Sequence, residues 1–422
     1  MNLSLFDSDL LTKASNKCEV AHFHIYIEDE LGCPFEANSA HRKGVFMHEY
    51  IHYIQHLTTL YGISVSRHHN LLFCDYRVYF ADHDTIPLPL TRTMVAPEMN
   101  GFFDAFNRVK GDREYGNRVD EIRVSEREIN AADRDNLAVC LDTFNKETDQ
   151  WSEKALKFGY YAIIESMADL VQRIYEPEVK HDIVPYQVVQ KLCETYYPQV
   201  AHDNRLMIAL CICALMSSNP GVGFFDAVRF AKDHPEMDGV ELYREFVNGS
   251  TIQFRKGKTT TITKWFEHQF EEYDKTVEQA LGVADYYRKA FDSSLKCAKT
   301  GNNLLLILLY DESVNPDNYF KCLAEYYGTP YIEAYNQSFY PGHKKMPIDV
   351  VAAVGMELMF KAFSNTSNIN CPRLEQCTRM KINSYDCING NQWDREAQCP
   401  FKAAMHFFRL EGKTIQPDNI KE

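Results

Sequence analysis

At 422 residues the chain exceeds the commonest single-domain size, and its 45% hydrophobic and 13% aromatic content is ample for a large core. A net charge of −14 disfavours nucleic acid and anionic membranes as partners. The early acids of the N-terminus, apolar runs (Leu206–Met216, Leu304–Tyr310) too short to span a bilayer and 13 mostly scattered cysteines together predict a soluble, reduced, cytoplasmic protein without a disulfide framework.

In chain order, Val20–Glu28 alternates, with His22, His24 and Tyr26 on one face and Phe23, Ile25 and Ile27 on the other. That pattern predicts a strand, either one whose open edge can pair with an extended peptide or a plain surface strand with its histidines outward. A Gly32-Cys33-Pro34 turn leads into a helix over residues 40–61, with Ser39 as N-cap and Gly62 just past its end. Asn70–Phe80 reads as a strand or a short helix, and residues 82–100, broken by Pro87, Pro89 and Pro97, as loop. Residues 108–136 are dense in charge, with strand-like alternation over Val119–Val124, and read as a solvated hairpin or flap.

From there the pattern is helical. Helices are expected over Asn136–Phe144, Lys154–Tyr175, Val184–Tyr196, Asp203–Met216, Phe224–Lys232, Gly239–Val247, Thr261–Ser294, Asp317–Tyr327 and Asp349–Phe363, with a turn over Ser217–Gly223. The expected organisation is an N-terminal part (1–135), a helical part (136–363) and a cysteine-bearing C-terminal segment (364–422) packed on the rest.

The chemistry lies in His48-Glu49-x-x-His52. Residues four apart share one face of a helix, so His48 and His52 can reach one metal ion, and Glu49 is then placed to take a proton from a water on that ion. A catalytic zinc usually has three protein ligands. His56 is four residues past His52, and three histidines at this step rotate about the axis and span roughly 12 Å. They cannot converge at metal–nitrogen distances of about 2 Å, so His56 is a second-site or packing residue. Glu165 is the best third ligand: it lies among Ile163, Ile164, Met167, Leu170 and Val171, where a carboxylate needs a cation. His68, Glu153 and His181 are lesser candidates, and the plainer reading pairs Glu165 with Arg173 or a tyrosine hydroxyl. Asp169 follows Glu165 by four residues and is expected to accept a hydrogen bond from the outer nitrogen of a ligand histidine.

His48-Glu49-x-x-His52 with Glu165-x-x-x-Asp169 resembles the gluzincins, the thermolysin-like zinc metallopeptidases. The resemblance covers two helices, and 112 residues separate His52 from Glu165, a far longer insertion than in the compact members. It implies an α+β, mainly α fold: a zincin-like core with a small N-terminal antiparallel sheet, a long active-site helix and a large helical remainder. It also implies one catalytic Zn2+, hydrolysis of a protein or peptide substrate with Glu49 as general base, and a His or Tyr that stabilises the oxyanion. Tyr160, Tyr161, His202, His268 and His343 are candidates for that last role.

Cys371, Cys377, Cys387 and Cys399 cluster late in a polar stretch without a C-x-x-C pair. They form a candidate second metal site, for a structural zinc or an iron–sulfur cluster, against the plainer reading of four reduced thiols. Three functions fit: an intracellular zinc peptidase, a zinc hydrolase of another amide or ester, or a catalytically silent, metal-stabilised interaction protein. The intact Glu49 argues against the third. A cytosolic peptidase also needs restraint, by narrow specificity or a regulatory partner, with 108–136 and the C-terminal segment as the places for it.

Overall fold

The computed structural model describes residues 17–19, 23–33, 35–125, 128, 137–253, 257–335, 337–340, 345–364, 371, 373–379, 381, 383, 387 and 399–417. Within them the protein is mainly helical with small sheets. The motif helix α1 (Ala40–Thr58) starts where Ser39 accepts a hydrogen bond from the Arg42 amide at 3.3 Å, as a serine N-cap should. It ends earlier than its sequence pattern suggests. The Thr59 hydroxyl donates to the Gln55 carbonyl at 2.6 Å and accepts from the Gly62 amide at 3.1 Å, closing one helix and capping the next. Gly62 is therefore not a terminator. It sits in the first turn of α2 (Leu60–Asp82), where a Cβ would lie 2.4 Å from the Gln55 carbonyl oxygen. Helix α2 absorbs Asn70–Phe80, so that stretch is helix and not strand.

The strand expected near residue 24 is present, but in a different setting. His24–Tyr26 lies inside a four-stranded mixed sheet, antiparallel to Lys17–Glu19 and parallel to Tyr331–Ala334, which pairs with Gln337–Phe339. The sheet is thus neither wholly N-terminal nor wholly antiparallel, and the expected open edge is covered on both sides. His24, on its polar face, is buried as well. His24 Nε2 is 3.0 Å from Glu333 and Nδ1 is 3.1 Å from Glu357. Alternation marks two faces of a strand without saying what covers either. His22 lies outside the described residues.

The expected loop 82–100 holds a strand, Thr85–Leu88, parallel to Thr414–Pro417, and the start of α3 (Pro97–Val109), with Pro97 in the first turn. Asn136–Phe144 is not a helix. Val139–Asn145 is a strand, flanked by Glu121–Arg123, Gln150–Trp151 and Leu156–Phe158. Val139, Leu141 and Thr143 point inward, a period of two that outweighs the helical composition around them. The next helix, α4 (Tyr160–Tyr175), consequently starts six residues later than expected. Val184–Tyr196 splits into a short kinked α5 (Ile183–Tyr186) and a helix over Val188–Tyr196. Thr261–Ser294 splits into Ile262–Leu281 and Arg288–Thr300, and residues 220–223 of the expected turn begin the helix Pro220–Asp233. Among the described residues no helix is long and apolar enough to cross a membrane.

Helix α1 lies along α4. One side of α1 packs Phe46 and Tyr50 on Phe320, with ring centroids 4.9 and 5.1 Å apart, and the Tyr53 hydroxyl donates to the Tyr327 carbonyl at 3.0 Å. The opposite side, bearing His48, His52 and Gln55, faces α4.

Candidate metal centre

Helices α1 and α4 bring His48, His52 and Glu165 together. One ligand atom from each lies within 4.8 Å of the other two. His48 Nε2 is 3.2 Å and His52 Nε2 3.6 Å from the same oxygen, Glu165 Oε2. All three side chains are buried, as is Glu49. The long insertion loops out and returns α4 to α1, so the distance in sequence does not keep Glu165 away.

The electrostatics are those of an anion held between two imidazoles. Burial alone works against the ionised Glu165 carboxylate, but His52 and His48 outweigh it and hold the group well below the usual carboxylate range. Burial likewise opposes charge on His52, and the Glu165 carboxylate outweighs it, with Glu49 adding to the upward shift. Glu49 is pushed up, first by burial, against the pull of His48 and His52. A carboxylate raised in this way is a better proton acceptor near neutral pH than one at its ordinary value.

These residues fit a metal ion. Two imidazole nitrogens and a carboxylate oxygen are the donor set of catalytic zinc sites that keep one position open. The tautomer of His52 also fits. Gln55 Nε2 donates to the Ile164 carbonyl at 2.9 Å, which turns Gln55 Oε1 toward His52 Nδ1 at 2.8 Å. Nδ1 then carries the proton and Nε2 presents its lone pair to the centre. Among the described residues His48 Nδ1 is buried without a hydrogen-bond partner.

Gln55 thus does for His52 what the sequence reading gave to Asp169. Asp169 accepts instead from His181 Nδ1 at 2.7 Å and pairs with Arg173. Its role is one step further out: it fixes His181, whose ring lies 6.3 Å from that of His48. Arg173 is accordingly spent on Asp169 and not on Glu165. Replacing Gln55 with alanine is expected to lower metal affinity about 10–100-fold, the usual worth of an outer hydrogen-bond partner. Competition titration against a chromogenic chelator reads this directly, and an unchanged affinity in the alanine variant contradicts the assignment.

The other candidates are engaged elsewhere, exposed or outside the described residues. His56 donates from Nδ1 to the His52 carbonyl at 2.6 Å and accepts the Tyr160 hydroxyl at 2.6 Å, so it is a packing residue. Burial pushes its pKa down to about 3. That contact also occupies Tyr160. Tyr161 packs against Phe106, His268 lies on Trp265 and His202 is exposed. His68 stacks on Phe102 at 3.6 Å, Glu153 is exposed, and His343 lies outside the described residues. Among the described residues the four C-terminal cysteines are not one of the groups that bring three ligand atoms within 4.8 Å. Burial, with Cys399, Cys377 and Cys387 nearby, pushes the Cys371 thiol up to about 12, which keeps it neutral at physiological pH.

Two residues at the centre escaped the sequence reading. Tyr186 lies with its ring 5.9 Å from His48 and 4.6 Å from His181. Burial and the charge of Glu165 push its hydroxyl up to about 12, so it stays a hydrogen-bond donor at neutral pH. It was hidden because a continuous helix was expected over 184–196, whereas the backbone leaves helical geometry at Val184 and again at Gln187. Pro185 was the available signal for that break. The second is Arg113, whose Nη2 is 3.8 Å from Glu165 Oε1. No protein-family model, curated protein or solved structure matches the chain.

Proposed function

We propose that the protein is an intracellular zinc-dependent peptidase of zincin-like design, in which His48, His52 and Glu165 hold the metal. The convergence of two imidazole nitrogens and one carboxylate oxygen within 4.8 Å, with Glu49 next to His48, carries this reading. Bound there, zinc supplies a Lewis acid that lowers the pKa of water and polarises a carbonyl. Glu49 accepts the water proton and passes it to the leaving nitrogen. The Tyr186 hydroxyl donates to the oxygen on which negative charge develops. Asp169 holds His181 through Nδ1, which leaves its other nitrogen as a further polar group beside His48. An amide other than a peptide bond would meet the same groups, so substrate class has to be read from products.

The test is incubation of wild-type protein with a cell-derived peptide library, with and without a chelator. New peptide termini are expected that vanish with chelator and return with added zinc. A library left unchanged under all three conditions contradicts the peptidase reading.

A further inference from the structure

Arg113 is held in place beside the metal centre from several sides. Gly111, at φ 76°, and Gly159 approach so closely that a Cβ on Gly111 would lie 2.7 Å from the Gly159 nitrogen, and one on Gly159 2.1 Å from the Val109 carbonyl oxygen. This contact pins the loop after α3 onto the start of α4. The Asp112 amide donates to the Lys157 carbonyl at 2.8 Å, and the Lys157 amide donates back to Asp112 Oδ2 at 2.9 Å. On the other flank the Tyr115 hydroxyl donates to the Lys154 carbonyl and lies 2.8 Å from Ser152 Oγ. Arg113 is thus fixed between two clamped neighbours, although its segment reads in sequence as a solvated face.

Its guanidinium is underused. At 3.8 Å the contact with Glu165 Oε1 is too long for a hydrogen bond. Among the described residues its planar fork of five donors makes no hydrogen bond. The side chain is 31% exposed, so it reaches solvent from the centre.

A cation beside a metal ligand repels the metal, so its position calls for an anion. Glu165 Oε2 faces the histidines while Oε1 faces Arg113. Once the charge of Glu165 is engaged by a divalent ion, the centre has a positive balance and Arg113 has no full counter-charge. We propose that Arg113 receives a carboxylate of the substrate, and that the protein acts on peptides with a free carboxylate within about two residues of the scissile bond, at roughly 3.5 Å per extended residue. That carboxylate is a C-terminus or an Asp or Glu side chain. The inference rests on the hydrolase reading for the position of the bond, but the binding of the carboxylate is testable without turnover.

The test uses full-length, zinc-loaded protein with Glu49→Gln to prevent cleavage. Three probes are titrated by calorimetry: N-acetyl-trialanine as the free acid, the same peptide as its C-terminal amide, and an amidated peptide with aspartate as its middle residue. At least one carboxylate probe is expected to bind about tenfold or more tightly than the neutral amide, the scale of a charge-assisted hydrogen-bonded pair. A preference for the free acid identifies the C-terminus, and a preference for the aspartyl amide identifies a side chain. Arg113→Ala is expected to remove the preference and Arg113→Lys to retain part of it.

Equal binding of the neutral amide and both carboxylate probes by the Arg113-containing protein overturns the proposal without any further variant. So does a preference that survives Arg113→Ala, or a parallel loss for all three probes together with weaker zinc binding, which marks a residue that only positions Glu165. Arg113-dependent carboxylate binding by a protein whose Glu49-containing form cleaves nothing keeps this inference and sinks the hydrolase reading. Cleavage of acids and amides alike, unchanged in Arg113→Ala, does the reverse.

Discussion

Replacing Glu49 with glutamine is expected to abolish turnover and leave the metal in place. Glu49 is buried next to His48, yet it is not among the side chains whose ligand atoms converge. In the proposed hydrolysis it accepts a proton, and glutamine has the same shape without that capacity. General-base catalysis is worth about 10²–10⁴-fold, or roughly 3–5 kcal/mol of barrier, and the base that activates the only nucleophile belongs at the upper end. The fall should appear in kcat, because an isosteric amide leaves substrate contacts intact. Zinc content by mass spectrometry should stay at the wild-type level. A variant that retains more than a tenth of wild-type kcat shows that another group takes the proton, and His181 is then the first to examine.

Replacing Glu165 with alanine is expected to remove the metal and keep the fold. Loss of a direct ligand should exceed the 10–100-fold that an outer partner is worth, so zinc affinity should fall by more than about 100-fold. The fold should survive because this change strands no carboxylate away from its partners. The reciprocal change is harsher. His52→Ala leaves the Glu165 carboxylate buried with one imidazole fewer, and breaking a buried pair from that side costs about 3–5 kcal/mol. Glu165→Ala is therefore the cleaner variant: thermal unfolding should stay cooperative and chelator competition should show the loss. Zinc retained at full stoichiometry and affinity would exclude Glu165 as a ligand.

These expectations show what the sequence carried and what it did not. The residues that meet at the centre were legible because their signals are local: an i, i+4 histidine pair, a glutamate between them, and a carboxylate stranded in an apolar helix. His56 was excluded by helix geometry alone, and its contact with Tyr160 agrees. The environment was less legible. Asp169 sits at helical spacing from Glu165, but which nitrogen it meets depends on where the segment after α4 turns, and that turn brings it His181. Gln55 supports His52 because its amide is oriented by the Ile164 carbonyl on the other helix, a contact no local pattern announces. Arg113 looked like one charge among many, and the close approach of Gly111 to Gly159 places it.

The fold divides along the same line. Helices with clear apolar periodicity, such as Asn204–Ala214 and Gly239–Gly249, lie close to where they are expected. Val139–Asn145 was misread because a strand in the middle of a sheet is settled by partners distant in sequence. The strand His24–Tyr26 was found, but its neighbour Tyr331–Ala334 comes from the far end of the chain. That long-range pairing turned an expected peptide-binding edge into a covered interior strand.

The most direct test of the central claim is anomalous diffraction from zinc-loaded crystals at the zinc absorption edge. The peak should lie at about 2.0–2.2 Å from His48 Nε2, His52 Nε2 and Glu165 Oε2, with Glu49 outside that shell. Crystals loaded to one zinc per chain whose anomalous peak lies away from these three atoms would contradict the account.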